Sequence, residues 1–220
     1  MPPRGSAQRT TEPRARRSIG LVIGLAALLA GVLPAAGSDT ALDGKEGHPR
    51  GRFPLAIHVG SVGDPALDEA AARAVRDWNA LFRELFGIPA FREVARDTDA
   101  QVIVKLEAAT GERLMGEARL NVEKELIEPP VRVVVFMPAA RGQTSREVVL
   151  YQVLAHEIGH ALGLPHTRDP RSVMCCVRGS IDFKDPPTRD AYIAARRQPD
   201  VRSVRGEIAA HYEAFWKQHP

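Results

Sequence analysis

The sequence predicts an α+β domain that follows a basic and apolar leader. Three observations carry this reading. A run of apolar residues at helical spacing lies between β-branched and alternating runs. A second helix carries two histidines four residues apart. Hydrophobic content of 44% and charged content of 26% over 220 residues are ordinary for one globular domain with a sizeable core.

The leader comes first. Residues Met1–Ser18 hold five arginines (Arg4, Arg9, Arg14, Arg16, Arg17) and one acid, Glu12. Ile19 to Leu33 is apolar throughout, and P-A-A-G-S follows. Basic start, apolar middle and small-residue end form the order of a secretory signal, so residues 1–37 are expected to be cleaved near Gly37–Ser38. An uncleaved membrane anchor is the alternative, although the apolar run is short for a full span. With the leader removed, the chain's 30 basic and 27 acidic residues become 25 and 26. The pI of about 9.1 therefore belongs to the leader. The remainder offers no basic surface for nucleic acid, and no stable membrane insertion is expected of it. A secreted or periplasmic location follows. Residues 38–51 are polar, carry Gly and Pro, and read as a linker. The domain itself is expected over 52–220.

Phe53–Val59 reads as the first strand, with His58 a structural histidine. Asp64 then caps a helix that opens on Pro65, runs to about Phe86 and stops at Gly87. Its apolar positions Ala71, Val75, Trp78, Phe82 and Leu85 share one face. Phe91–Ala95 is a weak strand and Ala100–Leu106 a better one, rich in β-branched residues. Gly116–Val122 alternates polar and apolar side chains, as a half-exposed strand does. Pro129-Pro130 is expected to break the chain before a last strand, Val131–Met137. Thr144 and Glu147 have the spacing of a capping box for the next helix.

That helix leads into H-E-I-G-H-A-L-G-L-P-H, from His156 to His166. His156 and His160 sit about 40° apart around a helix axis and roughly 6 Å along it, so both reach one ion. Gly163 and Pro165 end the helix and turn the chain back, which brings His166 in as a third ligand. Glu157 points away from the two helical histidines, beside the ion and not on it. Three neutral imidazoles with one open position describe a catalytic zinc site. H-E-x-x-H with a third histidine and a later methionine is a known zinc-protease signature.

With Met174 eight residues after His166, the chain resembles the metzincins, and within them the matrixins. The likeness is strong from Thr144 to Met174 and topological from Arg52 to about Arg197. It implies a zincin fold: a mixed, mostly parallel twisted sheet over two helices, with a small lower subdomain. Gly116–Val122 would be the antiparallel edge strand that borders the cleft. It also implies a zinc endopeptidase. His156, His160 and His166 would hold one zinc, and Glu157 would take the proton of a zinc-held water and pass it to the leaving amine. A peptide or protein segment would be the substrate. No histidine lies between His58 and His156, which argues against the family's extra structural zinc; calcium is left open. No cysteine precedes Cys175, so the cysteine latency device of the family is missing. Where the family commonly has proline two residues past the methionine, this chain has Cys176.

Cys175 and Cys176 are neighbours and cannot staple distant segments. They read as two partly buried thiols, with a vicinal disulfide as the alternative in an oxidising compartment. Thr188–Arg197 reads as the lower-subdomain helix, and Val201–His219 as an amphipathic C-terminal helix packed on the domain. Two rivals to the enzyme stay open: a non-catalytic zinc-holding protein on the same scaffold, and a membrane-tethered binding protein that uses its last helix.

Overall fold

The fold is known from a computed structural model that describes residues 42–108, 115–137 and 144–220. The leader, its cleavage site and the first residues of the expected linker lie outside the described residues. Five strands form one sheet in the order β2-β1-β3-β5-β4. They are β1 (Leu55–Val59), β2 (Phe91–Glu93), β3 (Val102–Glu107), β4 (Gly116–Glu123) and β5 (Leu126–Phe136). All neighbouring pairs are parallel except β4 with β5. The result is an α+β fold with a mostly parallel sheet and an antiparallel edge.

Between β1 and β2 runs α1 (Pro65–Phe86), and after β5 runs α2 (Arg146–Ala161). Asp64 caps α1 by accepting from the Ala66 and Leu67 amides, and Gly87 ends it at φ 74°, a left-handed conformation that costs glycine little. The buried face of α1 includes Ala71, Val75, Trp78 and Phe82, on the expected stripe, and packs into one core with Leu55, Ile57, Val102, Val104, Val133 and Leu154. Trp78 adds a polar grip: its Nε1–H donates to the Ala155 carbonyl in mid α2, at 3.1 Å. This bond locks the two helices in register one residue before His156.

Expectations change at several points. The α2 cap is Ser145, whose Oγ accepts from the Val148 amide at 3.4 Å, not Thr144. Pro129-Pro130 does not break the chain but lies inside β5. Proline has no amide to give the ladder, and the β4–β5 register shifts opposite these residues, between Arg119 and Asn121. The third change concerns residues 42–51, which do not hang as a linker. The Gly47 amide donates to Glu125 O at 3.0 Å, and the Ile127 amide to Gly47 O at 2.9 Å. His48 is fully buried. Sequence polarity hid this because a short strap is held by backbone bonds and one histidine, not by an apolar stripe.

After α2 come α3 (Pro186–Arg197), a 3-10 turn (Val201–Val204) and α4 (Arg205–Gln218). The expected last helix is thus split at Val204. Tyr212 and Phe215 of α4 are buried against the core, and Phe53, Phe82, Phe86 and Trp216 surround Tyr212 edge-on or tilted. Among the described residues no helix is long and apolar enough to cross a membrane.

Candidate metal centre

The centre starts from the end of α2. From Leu150 to Ala161 every residue but Gln152 is buried, so this segment is core on nearly all sides. Gly163 takes φ 90°, and a Cβ there would collide with the Glu46 carbonyl of the strap. Gly159 is required for a different reason, since a Cβ there would overlap the Met174 sulfur. These two glycines let the chain turn tightly and let Met174 lie directly beneath the helix.

The turn brings His156, His160 and His166 together. Their Nε2 atoms form a triangle with sides of 3.0, 3.1 and 3.2 Å. The Nδ1 atoms explain the orientation. His156 Nδ1–H donates to Val173 O at 2.8 Å, and His160 Nδ1–H to Leu164 O at 2.8 Å. A carbonyl only accepts, so in both rings the proton is on Nδ1 and the Nε2 lone pair is bare. Burial is the main force holding all three imidazoles below their ordinary pKa, with His160 at about 4. Bare lone pairs this close repel one another unless a cation lies among them. Tetrahedral zinc at about 2.0 Å from each nitrogen needs sides of roughly 3.3 Å. The donor set and spacing therefore fit zinc.

Glu157 is 0% exposed. Neither carboxylate oxygen has a hydrogen-bond partner among the described residues. Burial first, and the Glu117 charge second, push its pKa up to about 8. The edge strand presses on it: a Cβ on Gly116 would lie 3.0 Å from Glu157 Oε1 and 2.8 Å from Val153 Cγ1. A buried carboxylate with free oxygens is costly unless something else uses it. His58, expected to be structural, is far from this cluster in its bonding, with its ring Nδ1 3.2 Å from Val94 O.

Sequence reasoning missed the supports. Ala161 O, at the end of α2, is 2.9 Å from His48 Nε2, and Leu162 O accepts from the Tyr212 hydroxyl at 2.9 Å. Burial lowers His48 to about 4, so it donates as a neutral ring. No spacing rule relates residue 48 or 212 to a helix end at 161. Cys175 and Cys176, expected as two thiols, are instead joined as a vicinal disulfide just past Met174, the alternative reading.

Comparison with known proteins gives three findings. A family model described as Matrixin matches residues 37–185. A probable matrix metalloproteinase, 095L, of Invertebrate iridescent virus 3 is 33% identical over an alignment of 94 positions that covers 39% of this chain and 26% of the relative. The chain thus spans about a quarter of that relative's length. The solved structure of myroilysin aligns over 80% of this chain and 69% of its own, at 14% identity and a TM-score of 0.35, too loose a likeness to bear on the fold. The family match takes in the whole sheet, the metal helix and the methionine beneath it, and this chain belongs to the matrixins, a family of zinc-dependent endopeptidases.

Proposed function

We propose that this chain hydrolyses peptide bonds, with His156, His160 and His166 holding one zinc and Glu157 serving as general base. The observation that carries the reading is the pairing of bare, converging imidazole nitrogens with a buried carboxylate whose oxygens are unused. Bound zinc at such a site supplies Lewis acidity and lowers the pKa of water toward neutrality. The protein's own groups do the rest. Glu157 accepts the proton of the attacking water and returns one to the leaving amine. With its pKa raised to about 8 by burial, Glu157 becomes a base only once a cation bound beside it draws its proton off, and no described residue competes for its oxygens. Gly116 supports the role by leaving room for the carboxylate where any side chain would displace it. β4 is the last strand in the sheet order, and an extended peptide would lie alongside it.

A zinc-holding scaffold without chemistry would have no use for the Glu157 carboxylate in this buried place. The domain reading follows the same lines: residues 1–37 an export leader, then a catalytic domain that begins with the docked strap. Export to the outside or the periplasm is part of the proposal. Mass spectrometry of the exported fraction should find a first residue near Ser38. Intact Arg4–Arg17 peptides in the mature protein would favour an anchor. The function itself is tested by zinc content and cleavage of a peptide library, each with and without chelator. A chain that holds zinc and cleaves nothing would reject the enzyme reading.

A further inference from the structure

Arg196, near the C-terminal end of α3, is only 7% exposed. No carboxylate pairs with it among the described residues. A buried guanidinium without a counter-ion is costly, so its contacts must recover much of that cost. Its Nη2 donates to Cys175 O at 3.0 Å and its Nη1 reaches Ser172 O at 3.4 Å. Its flat face lies 4.6 Å from the centre of the Tyr192 ring. Ser172 and Cys175 are the two ends of the turn that carries Val173 and Met174.

The backbone groups of that turn can be counted. The Ser172 amide donates to Asp169 O, the Val173 amide to Ser203 Oγ, the Met174 amide to Ser172 Oγ and the Cys175 amide to Ser172 O. Val173 O accepts from His156 Nδ1, and Met174 O from the Thr167 amide. Arg196 takes Cys175 O and shares Ser172 O. It is the one charged side chain that bonds this turn among the described residues, and it grips both ends of the segment whose middle carbonyl orients a metal ligand. Lysine could not do the same, because an ammonium lacks the planar fork that spans two carbonyls.

We propose that Arg196 is a positioning residue for the metal centre: by bridging Ser172 O and Cys175 O it fixes the turn that sets Val173 O against His156 Nδ1, and so aims the His156 lone pair. This rests on the reading of the three histidines as a zinc site. Partners that orient a ligand from behind typically govern metal affinity by 10–100-fold.

The test measures zinc affinity of the exported protein by competition with a chromophoric chelator, for wild type, Arg196→Gln and Arg196→Lys. The melting temperature of each is taken metal-free and zinc-loaded. The expected result is zinc binding about 10–100-fold weaker in Arg196→Gln, with Arg196→Lys between it and wild type. The rise in melting temperature on adding zinc should shrink in the same order. A folded variant that binds zinc within twofold of wild type overturns the proposal. So does an equal loss of melting temperature in both forms, which marks a merely structural residue. Should Arg196→Gln fail to fold, Arg196→Lys carries the same criteria. Wild type that binds no zinc would overturn the three-histidine site itself, whereas zinc binding unaffected by the variants overturns only the role of Arg196.

Discussion

The two sides of α2 are built in opposite ways. On the floor, from Leu164 to Cys175, three backbone carbonyls are spoken for: Leu164 O by His160, Val173 O by His156, Met174 O by Thr167. On the roof, under β4, the Glu157 oxygens have no partner among the described residues and a glycine keeps the space clear. In the proposed reading, a metal ligand needs a fixed direction, which the carbonyl bonds supply, and a proton acceptor needs free lone pairs. Adjacent residues 156 and 157 would then meet both needs on one helix.

Breaking the floor should have the largest effect. His160→Ala leaves two ligands, and the expected outcome is loss of zinc and of all peptide cleavage, read by elemental analysis and a fluorogenic peptide. Breaking the roof should spare the metal. Glu157→Ala is expected to keep its zinc and its fold while hydrolysis falls by roughly 10²–10⁴-fold. Equal cleavage by wild type and Glu157→Ala would remove the carboxylate from the mechanism and erase the contrast.

A subtler change sharpens the comparison. Gly116→Ala adds one methyl group against Glu157 Oε1 and Val153. The expected result is unchanged zinc content with hydrolysis slowed on the order of 10–100-fold, since small misplacements of a reacting group are costly. If zinc falls along with activity, floor and roof are not independent.

The smallest effect on chemistry should come from the brace behind the floor. Burial lowers His48 to about 4 from an ordinary value of 6.5. A base that is harder to protonate when folded contributes stability that is present above the unfolded value and lost as pH falls. The window is therefore pH 6.5 down to about 4, and the loss across it is about 3 kcal/mol. His156, His160, His166 and His211 are lowered by burial as well, so the difference between the acid limbs of metal-free wild type and His48→Asn in urea unfolding measures it. His48→Asn should start less stable and show a flatter acid limb; an unchanged limb would acquit His48.

The legible parts of the sequence were those whose signal is local. The α1 stripe through Val75, Trp78 and Phe82, the Asp64-Pro65 start and the Gly87 stop each follow from neighbours a few residues away. The gathering of His156, His160 and His166 is also local, since a helix spacing and one glycine turn suffice. The supports were illegible because they join residues far apart. His48 reaches Ala161, Trp78 reaches Ala155, Tyr212 reaches Leu162 and Arg196 reaches Cys175. Each is a side chain bonded to a backbone carbonyl, and a carbonyl leaves no trace in residue identity. Pro129-Pro130 misled for a related reason: an edge-side bulge tolerates prolines that a regular ladder would reject.

The brace also sets an order of events during synthesis. The end of α2 before the turn to His166 is gripped from the strap by His48 and from α4 by Tyr212, while His211 Nδ1 lies 3.1 Å from Gly44 O and so ties α4 to the strap. The strap is translated first and α4 well after the histidines. A nascent chain therefore carries His156, His160 and His166 before the helix that braces their turn exists, and the turn gains its second brace only when α4 folds back onto it.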